Sequence, residues 1–122
     1  MGEHELSFLQ KQNCNSEYGG SECLSSKEMD NLLSKLKGWE IIIENNLCKL
    51  RCTFYCGNFS ESMSLANEIA EISDDQNHHP SMMVEWGKVT VTWWTHELSG
   101  LHLNDFIMAA KCSQIATTSA RQ

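Results

Sequence analysis

The chain has 122 residues, which fits one domain with or without a tail, and 41% of them are hydrophobic, too many for a disordered polymer. Sixteen acidic residues against nine basic ones give a net charge of −7, which disfavours direct nucleic-acid binding and docking on an anionic membrane leaflet. No run approaches the roughly 20 consecutive apolar residues of a membrane-spanning helix. The start, Met1-Gly2-Glu3-His4-Glu5, lacks the basic and apolar regions of a secretory signal, so the expected location is cytoplasmic, with the nucleus as a second compartment.

Residues 1–24 read as a flexible extension rich in Gln, Asn, Ser, Gly and Glu, with Phe8 and Leu9 too few to build a core. The ordered domain is expected over residues 25–116. Ser25 and Glu28 form a Ser-x-x-Glu capping box, Met29, Leu32, Leu33 and Leu36 follow at helical spacing, and Gly38 closes the helix. Trp39–Glu44 and Leu47–Cys56 read as strands joined by the turn Asn45-Asn46. In the second strand Cys48, Leu50, Cys52, Phe54 and Cys56 share a buried parity, and Lys49, Arg51, Thr53 and Tyr55 a wetter one.

A second helix starts near Ser60, expected to be its cap. It carries two apolar stripes, one with Phe59, Met63, Ala66 and Ala70 and one with Leu65, Ile69 and Ile72. One sheet covers one stripe. The stripe of Leu65, Ile69 and Ile72 is therefore expected to remain for a second subunit, which predicts a homodimer or homotetramer. Two further strands flank Gly87, and a last helix starts near Leu103 and frays over residues 117–122. The order is α-β-β-α-β-β-α: an α+β fold with a four-stranded antiparallel sheet and three helices on it.

Six cysteines do not read as a disulfide framework. At about 3.3 Å per strand residue, positions four apart such as Cys48, Cys52 and Cys56 lie about 13 Å apart, beyond the roughly 7 Å that a disulfide spans. Small buried hydrophobes in a reducing compartment are the expected reading.

Histidine titrates closest to neutrality, so its clusters are the candidates for proton transfer. His78 and His79 precede the only proline, Pro80, which restrains the loop, and in extended chain adjacent rings point to opposite sides. His96 ends the last strand and Glu97 follows it. A metal site built from His78, His79 and His96 lacks an obvious fourth ligand and is the minor reading.

The composite pattern Asp74-Asp75-Gln76-Asn77-His78-His79-Pro80, Trp86, Thr95-His96-Glu97, Gly100-Leu101 and Asp105 resembles the pterin-4a-carbinolamine dehydratases, and the resemblance runs from Leu24 to about Ile115. It implies loss of water from a 4a-hydroxytetrahydropterin, left by an aromatic amino-acid hydroxylase, to give quinonoid dihydropterin and so recycle tetrahydrobiopterin. Ring-nitrogen lone pairs expel the hydroxyl, so the implied chemistry needs no metal and no other cofactor. The family's three site histidines match His78, His79 and His96, and its substrate contacts map onto Asp74, Asn77, Pro80, Trp94, Thr95 and Glu97. Of the histidines, His78 and His96 are expected to exchange protons and His79 to orient the pterin. His102 stands where the family often has Ser or Thr, so a Ser-x-x-Asp cap on the last helix is expected to be lost, with His102 exposed. Some animal members also act as dimerisation cofactors of a homeodomain transcription factor, the alternative function for this chain.

Overall fold

The computed structural model describes residues 6–15, 18 and 22–118. The expected α-β-β-α-β-β-α order is present from Ser26 onward, preceded by one short helix that was not expected. Helix α1 (Leu6–Lys11) and helix α2 (Ser26–Leu33) precede strands β1 (Glu40–Glu44) and β2 (Leu47–Tyr55). Helix α3 (Phe59–Gln76), strands β3 (Ser81–Glu85) and β4 (Lys88–Trp93), a 3-10 turn at His96–Leu98 and helix α4 (Leu103–Thr118) complete the fold. The strands form one antiparallel sheet in the order β1-β2-β4-β3.

Local chemistry sets the boundaries. Ser25 and Glu28 exchange both bonds of the predicted capping box. The helix it starts ends earlier than its periodicity predicts. After Leu33 the chain tightens into turns with Lys35 N–H donating to Leu32 O and Leu36 N–H to Leu33 O, and Gly38 then takes a left-handed φ of 87° to lead into β1. Asn45 and Asn46 both adopt positive φ, 53° and 65°, the geometry of a type I′ hairpin. The cap of α3 is Asn58 rather than Ser60: its side chain accepts the Glu61 N–H at 2.8 Å. Among the described residues no helix is long and apolar enough to cross a membrane.

The sheet presents Leu50, Cys52, Val89, Val91 and Trp93 to the helices, as the alternation predicts. Leu65 and Ile69 of α3 and Phe106, Ile107 and Met108 of α4 meet them, all almost wholly buried. This corrects the assignment of the α3 stripes. Leu65 and Ile69 lie in the core of their own chain and Ile72 is half-buried against it; the exposed apolar residues of α3 are Phe59 and Met63. Helical periodicity identifies the two stripes but not which one the sheet takes.

The N-terminal segment contributes more than its composition predicts. Six residues are too few to hold a helix alone, and α1 is held by docking on α4. Leu9 is 1% exposed and joins the core, and Lys111 Nζ donates to Gln10 O at the end of α1.

Candidate active site

Helix α3 ends on Asn77 in the left-handed conformation, φ 53° and ψ 42°, which Asn tolerates better than most residues. The His78 N–H donates back to Ser73 O, so the chain reverses and drops His78 beneath the end of the helix. The His78 ring is buried and stacks on Trp93, with centroids 5.5 Å apart and an interplanar angle of 17°. Its Nε2 lies 2.6 Å from Asp105 Oδ1. The other oxygen of Asp105 accepts from Thr95 Oγ1 at 2.8 Å and from the His102 N–H at 3.0 Å. A carboxylate only accepts, so Nε2 of His78 is the donor and Nδ1 is the nitrogen not engaged by Asp105. Asp105 is 0% exposed, and its partners stand in for the water it has lost.

His79 is exposed, with Nε2 2.9 Å from Asp74 Oδ1, one helical turn back along α3. The two adjacent rings thus have different surroundings: one is clamped in the interior, the other is held loosely at the surface.

His96 sits on a short loop closed by a bridge between Thr95 and Gly100. Its ring packs 4.8 Å from Trp94 at a 54° tilt. The Trp94 indole is fixed in turn by Lys49, whose Nζ lies 4.0 Å from the ring centroid. Lys49 is buried on the open face of the sheet and pairs with Glu44 at 3.3 Å. Arg51 binds the same carboxylate at 2.9 Å and donates from Nε to Thr92 Oγ1. These two cations hold the Glu44 carboxyl below its usual range.

Between these elements lies a cleft of about 490 Å³, a size that suits a small heterocycle. His78, His79 and His96 all line it, as do Asn77, Pro80, Trp94 and Glu97. Two residues predicted as substrate contacts do not line it. Thr95 is fully buried, with its hydroxyl committed to Asp105, and Asp74 faces the His79 ring outside the cleft. Ser81 lines the cleft without having been singled out, because nothing in a strand's first residue advertises a site. Asp105 carried a signal, its place at the start of a helix, but only the packing shows it bonded to His78. Among the described residues no three His, Cys, Asp or Glu side chains are gathered as metal ligands. The six cysteines are unpaired with one another, and burial pushes the Cys14 thiol up to about 12 and the Cys52 thiol up to about 11, out of the nucleophile's range.

The helix cap expected to be lost at α4 is present in another form. His102 Nδ1 accepts the Asn104 N–H at 3.0 Å, while Asp105 Oδ2 accepts the His102 N–H. The imidazole takes the place of a hydroxyl in a reciprocal cap. His102 is half-buried, with Tyr18 edge-on at 5.1 Å, rather than exposed. Burial lowers its pKa from 6.5, with His78 acting in the same direction and Asp105 opposing.

The profile of the family described as pterin 4 alpha carbinolamine dehydratase matches residues 22–115. A Vibrio cholerae protein provisionally named a pterin-4-alpha-carbinolamine dehydratase is 41% identical over 108 residues, spanning 88% of this chain and 99% of its own. A Chlorobium luteolum protein of the same provisional name is 40% identical over 107 residues, spanning 88% of this chain and 94% of its own. The crystal structure of a transcriptional coactivator/pterin dehydratase from Brucella melitensis superposes with a TM-score of 0.71 at 27% identity, over 78% of this chain and 99% of that one. The chain belongs to the pterin-4a-carbinolamine dehydratase family.

Proposed function

We propose that this chain removes water from a 4a-hydroxytetrahydropterin by histidine acid–base catalysis. One observation carries the reading: a single cleft is lined by three imidazoles, one of which is held by a buried carboxylate. Hydroxide is a poor leaving group, so the C4a oxygen takes a proton as the C4a–O bond breaks. A pterin nitrogen supplies the electron pair and a ring N–H is lost to a base. One proton is given, one is taken, and water leaves. His78 and His96 exchange these protons, and His79 orients the pterin and its hydroxyl. Trp94 offers a planar apolar wall for the ring system, and Asn77 and Glu97 offer polar contacts at the rim. The product is a quinonoid dihydropterin, which rejoins the tetrahydropterin pool used by an aromatic amino-acid hydroxylase only after a separate two-electron reduction.

The test is a dehydration assay with freshly generated 4a-hydroxytetrahydropterin. His79→Ala and His96→Ala should each lower kcat by about a hundredfold or more with the circular dichroism spectrum intact. Wild-type rates in both folded variants would remove the mechanism. The Brucella melitensis protein is described as a transcriptional coactivator as well as a pterin dehydratase, which favours as a second reading the non-catalytic dimerisation-cofactor role implied by the family resemblance. That reading predicts no turnover in the same assay.

A further inference from the structure

The segment before residue 22 lies outside the family match, yet it bonds to two of the elements that carry the cleft. The Cys14 N–H donates to Gln76 Oε1 at 2.7 Å, and Gln76 Nε2 donates to Asn13 Oδ1 at 3.1 Å. Gln76 is the last residue of α3, two before His78. Asn15 pairs with the side chain of Asn104 as one strand residue pairs with another. Its N–H donates to Asn104 Oδ1 at 3.0 Å, and Asn104 Nδ2 donates to Asn15 O at 2.8 Å. The remaining Nδ2 hydrogen goes to the Tyr18 hydroxyl at 2.9 Å. Asn104 is 2% exposed, so water cannot readily replace these bonds. Farther along, Leu24 N–H donates to Leu101 O at 2.9 Å and the Cys23 thiol to Leu98 O at 3.0 Å, both on the segment that follows His96.

One length of chain thus touches the end of α3, the loop of His96 and the start of α4. These are the elements that bring His78, His96 and Asp105 together, and none is joined to another by continuous secondary structure. Asn104 is adjacent to Asp105, and its own N–H is capped by His102. Movement of the α4 start would therefore move the carboxylate that orients His78.

We propose that this N-terminal strap is a positioning element of the dehydratase site, acting through Gln76, Asn104 and Tyr18 on the Asp105–His78 pair. The proposal rests on His78, His79 and His96 forming the catalytic cleft. Positioning errors near 1 Å cost about a hundredfold in rate, and loss of one strap contact is expected to cost about tenfold.

The experiment compares Asn104→Ala, the double variant Tyr18→Phe/Gln76→Ala and His78→Ala in the full chain. Its readouts are kcat, KM, the pH profile of kcat and the melting temperature. The strap variants should lower kcat about tenfold with KM within about twofold of wild type, and should displace the pH profile. A purely structural role would lower the melting temperature and leave kcat and its pH profile unmoved below it. The double variant leaves the apolar core untouched, so the test stands if Asn104→Ala does not fold. Wild-type kcat and pH profile in the folded strap variants, with His78→Ala inactive, would overturn the strap and spare the site. Wild-type activity in His78→Ala would overturn the site reading itself, and the strap proposal with it.

Discussion

Asp105→Asn exchanges one carboxylate oxygen for an amide nitrogen at a fully buried position. Three donors converge there: His78 Nε2 at 2.6 Å, Thr95 Oγ1 at 2.8 Å and the His102 N–H at 3.0 Å. The last two share one oxygen, so the amide oxygen is retained on that side. The new NH2 group then faces His78 and donates to it. His78 must accept at Nε2, and its proton moves to Nδ1. The substitution keeps the shape of the site and reverses the tautomer of one ring. A hydrogen bond to a charged group contributes about 1.5–3 kcal/mol and a neutral one about 0.5–1.5 kcal/mol, so the exchange costs about 1–1.5 kcal/mol, roughly 5 °C in melting temperature for a domain of this size. The loss in kcat should be larger, about 10²- to 10⁴-fold, because a ring with its proton on the wrong nitrogen cannot serve the step it is aimed at. Asp105→Ala is less informative: it leaves the donors unpaired at about 1–3 kcal/mol each and threatens folding. Stopped-flow dehydration measures the rate, and nitrogen-detected NMR of the His78 ring reports the tautomer. Wild-type kcat in a variant whose His78 carries its proton on Nδ1 would refute the reasoning.

His102 caps α4 through an unprotonated Nδ1, and its folded pKa lies below the ordinary 6.5. The folded state therefore resists protonation, so the stability His102 contributes is whole above pH 6.5 and is lost as pH falls through the lower folded value. His102→Ser keeps a cap without titrating. Its melting temperature should fall less steeply than that of the wild type just below pH 6.5, and parallel curves would count against the cap. Glu44, whose pKa is lowered from 4.5 by Arg51 and Lys49, adds a separate loss that begins as pH falls through 4.5. Ile69→Glu places a carboxylate in the core and should cost on the order of 4 kcal/mol or more, whereas Met63→Glu on the exposed side of α3 should stay within about 0.5 kcal/mol. Thermal melts distinguish the two, and an Ile69→Glu variant as stable as wild type would contradict the burial.

Much of the fold follows from near-neighbour chemistry and is legible without coordinates. The Ser25–Glu28 box, the Asn45-Asn46 turn and the alternation through β2 and β4 act over a few residues, so the sequence alone determines the elements from Ser25 onward and the inward face of the sheet, but not α1, which forms by docking on α4. His78-His79-Pro80 and His96 were likewise visible as residue types able to move protons at neutral pH. Tertiary structure decided the rest, because it depends on contacts between residues far apart in the chain. It decided that Leu65 and Ile69 face the chain's own core, that Thr95 serves Asp105 instead of lining the cleft, and that an imidazole caps α4. The Asp105–His78 pair spans 27 positions and the bonds from Asn15 to Asn104 span 89. Periodicity and capping rules look only one or two helical turns along the chain, whereas a buried carboxylate or amide takes whatever partner the packing brings within about 3 Å.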